Sequence, residues 1–287
     1  MDLPARLVIG ALLAALVAAG GLVAGALTSS GALAALAVGT LTFGVGGPKW
    51  GVLLVTVFVS SSALSAWRRE DKEPLATEIQ AKGPRRDATQ ILANSGVAAL
   101  LAAASQFAPP GAEAGLFAAY AGALAAVTAD TWATELGLLS RIAPRMITTG
   151  EVVEPGTSGG VTVLGTSAAV LGGAFIGLCA AGLAALSDVA EFGSLDVHLL
   201  NVPLAARLML VTPVSGLAGS AFDSYLGATV QAQYTCPRCG DVTERRVHGC
   251  GTPTEHSAGW RWMDNDTVNF LASLVGAAVG WGLVALL

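Results

Sequence analysis

Several carboxylates and amides in this sequence stand at the ends of long apolar runs, where lipid would make them costly unless they face water or a bundle interior. One group is Asp130-Thr131-Trp132-Ala133-Thr134-Glu135. On a helix Asp130 and Thr134 share a face, and so do Thr131 and Glu135. Carboxylates placed this way suit Mg²⁺, which takes a few oxygen ligands and keeps its waters. A helix exit with solvated acids is the plain alternative. Asp223-Ser224-Tyr225 lies late in another apolar run, with little basic company, so Asp223 wants a metal or a partner helix. Asp264-Asn265-Asp266 opens the last run, and Asn269 enters it. An acid there also suits a helix N-terminus. Asp130, Glu135 and Asp223 are the candidate catalytic residues. With Asp264 and Asp266 they form the candidate Mg²⁺ set.

Candidate phosphate-binding groups lie nearby in sequence. Lys82, Arg85 and Arg86 precede Asp87, Gln90 and Asn94, which fall at i, i+3 and i+7 on one helical face. That polar stripe would reach about 10 Å along a helix. Asp87 also fits a helix cap. Gly156-Thr157-Ser158-Gly159-Gly160 stands directly before an apolar run. Free N–H groups at a helix N-terminus favour anions. The segment lacks the Gly-Lys-[Ser/Thr] ending of a P-loop. Arg145, Thr131, Ser224, Asn265 and Asn269 complete the candidate substrate and nucleotide contacts.

A separate set reads as a metal knuckle. Cys236-Pro-Arg-Cys239 is followed by His248-Gly-Cys250 and then by His256. This is zinc spacing. Four ligands would be Cys236, Cys239, Cys250 and either His248 or His256. His248 is preferred, because His-x-Cys closes a small loop. Reduced, metal-free thiols are the alternative. Such a Zn²⁺ would be structural and would pin the loop near the membrane, with no part in the chemistry.

The elements that must position these groups follow from composition. Of 287 residues, 53% are apolar and only 12% charged, with a mean hydropathy of +0.64. Soluble domains carry about 25% charge. Disorder, collagen and a disulfide scaffold are excluded, and no basic stripe suits nucleic acid. Apolar runs at 7–27, 31–47, 50–67, 89–108, 114–133, 161–186, 203–230 and 267–287 each approach the length a bilayer requires. The fold class expected is all-α: a polytopic integral membrane helical bundle of eight spans. It forms one transmembrane domain over 1–287, with a small zinc-knuckle-like loop at 231–266. Twelve of the fifteen Lys and Arg residues fall in the loops 68–88, 134–160 and 231–266, whereas 187–202 carries Asp188, Glu191 and Asp196 with no base. The positive-inside rule then makes the three basic loops cytoplasmic in a multi-pass cell-membrane protein. Ala-Asp130-Thr-Trp and Phe-Asp223-Ser-Tyr look alike on spans that run the same way, as a faint parallel repeat would.

RRDATQILAN, ADTWATELG, PRMITTGEVVEPGTSGGVTVLGT, FDSYLGATVQ and WMDNDTVNFLAS cover the chain from about residue 82 to its end. These stretches resemble the family called domain of unknown function 92, the transmembrane protein 19-like family, which includes the plant phytyl phosphate kinase. The resemblance, not the spacing, implies the activity. A kinase would move phosphate from a nucleoside triphosphate, CTP being favoured, to an isoprenyl monophosphate at the cytoplasmic membrane face. Phosphoryl transfer needs positioning, a metal and positive charge more than covalent help, and the residues above supply those types. Two alternatives use the same residues. A CDP-lipid-forming cytidylyltransferase needs the same metal and nucleotide. A lipid or isoprenoid-phosphate transporter would use intramembrane acids too, although here they crowd one membrane face instead of the midplane.

Overall fold

The computed structural model describes residues 2–68, 70–72, 85–192 and 204–287. Arg69, Lys82 and Asp196 lie outside the described residues, as do the side chains of Asp188 and Glu191. Among the described residues, eight helices are long and apolar enough to cross a membrane. They are α1 (Leu3–Val23), α2 (Ser29–Thr40), α3 (Pro48–Ala66), α4 (Ala88–Ala104), α5 (Glu113–Gly137), α6 (Val163–Phe192), α7 (Leu204–Thr229) and α8 (Asn265–Leu286). A π-helical turn, Leu41–Gly46, extends α2 to bilayer length.

Local signals place the helix starts. The Asp87 carboxylate accepts from Gln90 N at 2.9 Å, and the Gln90 side chain accepts from Asp87 N at 3.0 Å, a closed capping box for α4. Asp264 caps α8 by accepting from Thr267 N at 3.0 Å. Pro48 stands in the first turn of α3, where a missing N–H costs nothing.

Helix α5 is the axis of the bundle, buried continuously from Phe117 to Ala129. It can be central because its neighbours meet it with small residues. A methyl group on Gly276 of α8 would strike the Gly122 carbonyl oxygen of α5. Gly276 and Gly280 are one turn apart, so the two backbones touch along a small-xxx-small seam. At the opposite end of α5 from Asp130, Trp50, Phe117 and Tyr120 form an aromatic cluster, and the Tyr120 hydroxyl donates to the Trp50 carbonyl.

Among the described residues, the β-strands lie in two connections. Between α5 and α6, β1 (Arg145–Met146) pairs antiparallel with β2 (Gly160–Val161). Between α7 and α8 lies a three-stranded antiparallel sheet of β3 (Gln233–Thr235), β4 (Val242–Thr243) and β5 (Glu255–Ala258), in the order β4-β3-β5.

Candidate functional site

The ends of six helices and both extended connections surround one cavity of about 1000 Å³. Its wall includes Ser65 from the end of α3, Gln90 and Asn94 from the start of α4, Asp130, Thr131, Ala133, Thr134 and Glu135 from the end of α5, and Thr162 from the entry to α6. The end of α7 adds Asp223 and Ser224, and the start of α8 adds Asp264, Asn265, Asp266 and Asn269. Spans that run in alternate directions thus deliver their polar ends to one place.

Asp130 and Asp223 occupy equivalent places on two parallel helices. Asp223 Oδ2 is buried with no hydrogen-bond partner among the described residues. Neither carboxylate has an ion pair among them. Asp223 lies within the electrostatic reach of both Asp130 and Glu244, so three negative groups crowd this wall. Acids so arranged repel one another unless a cation sits among them. The orphaned oxygen and the crowded charge therefore fit a divalent metal.

Glu135 is held differently. Lys72 Nζ lies 2.5 Å from one of its oxygens and also donates to the Leu64 carbonyl at 2.8 Å. Ser65 donates to the other oxygen at 2.5 Å. This carboxylate is already neutralised and oriented by the chain. Arg86 also lines the cavity. Its guanidinium covers the Phe58 ring at 5.7 Å and reaches the Ser62 hydroxyl at 3.4 Å. Burial draws its pKa below the usual value, and the Glu135 charge opposes that shift.

The glycine-rich loop also lines the cavity, through Gly156, Thr157, Ser158, Gly159 and Gly160. Gly159 has φ +80°, and a Cβ there would stand 2.6 Å from Ala228 N. The loop backbone thus lies directly on the end of α7, which only glycine permits. Thr162 caps α6 by accepting from Gly165 N at 2.9 Å.

Not every expected residue reaches the cavity. Lys82 lies outside the described residues. Arg85 turns away and donates to the Leu27 carbonyl at 3.0 Å. Arg145 donates to the Gly150 carbonyl at 2.8 Å and closes its own turn. Asp87 is spent on the α4 cap, so the stripe of three reduces to Gln90 and Asn94 on the cavity wall.

Other residues line the cavity without having been singled out: Ser65, Lys72, Gln231, Tyr234, Glu244, Arg245, Arg246 and Arg261. Glu244 accepts from Ser158 at 2.7 Å and from Gln231 at 2.6 Å. The available signal was the charged triplet Glu244-Arg245-Arg246 between the two halves of the cysteine motif. In sequence it reads only as part of a basic loop.

Beside the cavity, Cys236, Cys239, His248 and Cys250 place one ligand atom each within 4.8 Å of all the others. His256 is not part of this group. Its ring packs edge-on to Tyr234 at 5.6 Å. The Cys236 and Cys250 sulfurs are 3.7 Å apart, and His248 Nδ1 is 3.3 Å from Cys250 Sγ. Tetrahedral zinc, with bonds of about 2.3 Å to sulfur and 2.0 Å to nitrogen, would require about 3.8 and 3.5 Å. His248 Nε2 faces Asp241 Oδ2 at 3.6 Å, which leaves Nδ1 for a metal. Hydrogen bonding with Thr252 and His248 brings the Cys250 thiol down to about 5, whereas hydrogen bonding with Cys250 pushes Cys239 up to about 12.

An eight-span helical bundle with a polar cavity at one end defines an integral membrane protein. The chain belongs to the family described as integral membrane protein DUF92, whose model matches residues 12–277. It is 31% identical to Protein PGR of Arabidopsis thaliana over 94% of this chain and 93% of the relative. An uncharacterized membrane protein of Methanocaldococcus jannaschii is 32% identical over 56% of this chain and 48% of that one. One from Synechocystis is 24% identical over 82% of this chain and 73% of that one. No solved structure matches.

Proposed function

We propose that this protein is a Mg²⁺-dependent kinase that converts an isoprenyl monophosphate to the diphosphate with CTP or a related triphosphate. The observation that carries the reading is the buried, unpartnered Asp223 carboxylate sharing a cavity with Asp130 and the glycine-rich loop. Asp130 and Asp223 would hold the metal, with Asp264 or Asp266 close by. Mg²⁺ would supply charge neutralisation across the transferred phosphates.

The chain's own groups account for the remainder. Backbone N–H groups of Gly156–Gly160 and the guanidiniums of Arg86, Arg245 and Arg246 hold the polyphosphate. An oxygen of the acceptor monophosphate attacks the γ-phosphorus, and the bond from that phosphorus to the β–γ bridging oxygen breaks. The nucleoside diphosphate leaves with that electron pair. The acceptor is already an anion, so no general base is needed. Glu135, fixed by Lys72 and Ser65, orients this wall. The isoprenyl tail stays among the helices. The cavity faces the cytoplasm, where the nucleotide is found.

We also propose Zn²⁺ at Cys236, Cys239, His248 and Cys250, on the fit of the ligand separations to a tetrahedron.

The deciding experiment incubates purified protein with Mg²⁺, CTP and isoprenyl monophosphates of graded length, with products identified by mass. Isoprenyl diphosphate and CDP are expected. Pyrophosphate with a CDP-lipid would make the protein a cytidylyltransferase. Neither product with any acceptor would overturn the reading.

A further inference from the structure

The cysteine loop and the cavity share one segment. Two tight turns present the four metal-ligand candidates. The first turn closes where Gly240 N donates to the Cys236 carbonyl at 2.8 Å, with Gly240 at φ +82°. It is the tip of the β3–β4 hairpin, in which Tyr234 pairs with Thr243 and Thr235 with Val242. The second closes where Gly251 N donates to the His248 carbonyl at 2.9 Å, with Gly251 at φ +81°. It is the tip of a second hairpin, in which Val247 bridges Pro253 and His248 N donates to the Thr252 carbonyl at 3.0 Å.

Glu244, Arg245 and Arg246 are the link between these hairpins, and all three line the cavity. Thr254, on the return strand of the second hairpin, fixes the link. Its N–H donates to the Arg246 carbonyl at 3.0 Å, and its hydroxyl donates to the Arg245 carbonyl at 2.6 Å. A segment this short, with strands of two to four residues, cannot bury a core of its own and needs a staple. The cluster of three sulfurs and one imidazole, with Asp241 beside His248, joins the two hairpin tips.

We infer that zinc at Cys236, Cys239, His248 and Cys250 is a positioning metal. By tying the two hairpin tips together it holds Glu244, Arg245 and Arg246 against the cavity as its anion-binding rim. The inference rests on the zinc reading above, and it assigns that metal a part in ligand binding. Glu244 closes the rim onto the glycine-rich loop through Ser158. The two arginines add positive charge to a cavity otherwise rich in acids. The ligand chemistry is a polyphosphate. Without zinc the link frays, the rim opens and the polyphosphate loses its cationic wall.

The test uses the full chain in detergent, loaded with zinc or stripped by a chelator, and two readouts that need no turnover. Trypsin cleavage after Arg245 and Arg246 reads the link. Binding of pyrophosphate, titrated calorimetrically, reads the rim. Loaded protein should hold a single zinc ion per chain, resist cleavage there, and bind pyrophosphate about tenfold or more tightly than the stripped form, with zinc restoring both. His248→Ala should behave as stripped protein. His248→Cys, which keeps four ligands, should restore protection and binding, separating loss of the metal from general misfolding. Purified protein that takes up no zinc, or equal cleavage with and without it, overturns the inference. Equal pyrophosphate affinity in the two forms overturns the rim's part in binding. A loaded protein that protects the link but binds no pyrophosphate leaves the clamp standing and counts against the kinase reading instead.

Discussion

The Ser158 hydroxyl donates to the Glu244 carboxylate across 2.7 Å, although 86 positions separate the two residues. One belongs to the glycine-rich loop before α6 and the other to the cysteine segment before α8. This bond makes two connections on either side of two membrane spans into one wall of one cavity. The Gln231 side chain donates to the same Glu244 oxygen at 2.6 Å, so the carboxylate is fixed from both directions.

Removing either partner should therefore loosen the same wall. Glu244→Ala and Ser158→Ala are each expected to weaken nucleotide binding about tenfold. A hydrogen bond to a charged group is worth about 1.5–3 kcal/mol. The double variant should cost less than the sum of the two. A double-mutant cycle on nucleotide affinity measures this, and strict additivity would show that the contact couples nothing.

Lys72 and Glu135 form an ion pair of largely buried side chains, 5% and 20% exposed. Removing one member leaves the other charged and unpaired. Lys72→Met should lower stability by about 3–5 kcal/mol. Lys72→Met with Glu135→Gln should recover part of that loss. Thermal unfolding in detergent compares the two, and a double variant no better than the single would place the role of Lys72 elsewhere.

The α5–α8 seam gives a prediction that concerns packing alone. Gly276→Ala drives a methyl group into the Gly122 carbonyl, and overpacking of this kind costs about 1–3 kcal/mol. Gly282, on the same helix, has open space around its Cβ position. Gly282→Ala should be neutral or stabilising by about 0.5–1 kcal/mol. Equal melting temperatures for the two variants would contradict the close approach.

How much of this was legible in the sequence depends on range. The eight spans were, because length and apolarity are local properties and the bilayer imposes both. The cysteine–histidine cluster was too, because its members come as two short turns with fixed spacing. Asp130 and Asp223 were legible as acids too costly to leave in lipid without a reason. Asp87 misled, since a capping residue and a cavity residue share the same helical face for the first turn. Arg85 and Arg145 misled for another reason. A guanidinium near a phosphate-type loop suggests a ligand contact, yet each satisfies a backbone carbonyl instead. Glu244 was illegible, because its meaning comes from Ser158 and Gln231, 86 and 13 positions away in the sequence.

The basic loops predict one orientation of the chain in the membrane. Impermeant thiol reagents should label Glu70→Cys, Thr149→Cys and Glu255→Cys, three exposed positions, from the same side of oriented membranes. That side should be the cytoplasmic one. Labelling of one site from the opposite face would break the shared-side topology, with peptide mapping distinguishing each site.

The strongest prediction concerns Asp130 and Asp223. Both stand late on helices that end at the cavity, and the Asp223 Oδ2 atom is buried without a partner among the described residues. Such an atom is unfavourable in the folded state unless a ligand satisfies it. The crowding of Asp130, Asp223 and Glu244 adds repulsion that a divalent cation would remove. Asp→Asn substitution keeps the shape and deletes the charge, so it separates metal binding from packing. Asp130→Asn and Asp223→Asn should each abolish turnover while melting at or slightly above the wild-type temperature, because the repulsion is relieved. Glu135→Gln should be milder, since Lys72 and Ser65 already occupy that carboxylate. Mg²⁺ should raise the melting temperature of the wild type in the presence of nucleotide and leave both Asp→Asn variants unmoved. Turnover close to wild type in both variants would return these acids to a structural role. So would a Mg²⁺-dependent stabilisation that survives them, and the cation would then have to be sought among Asp264 and Asp266 at the start of α8.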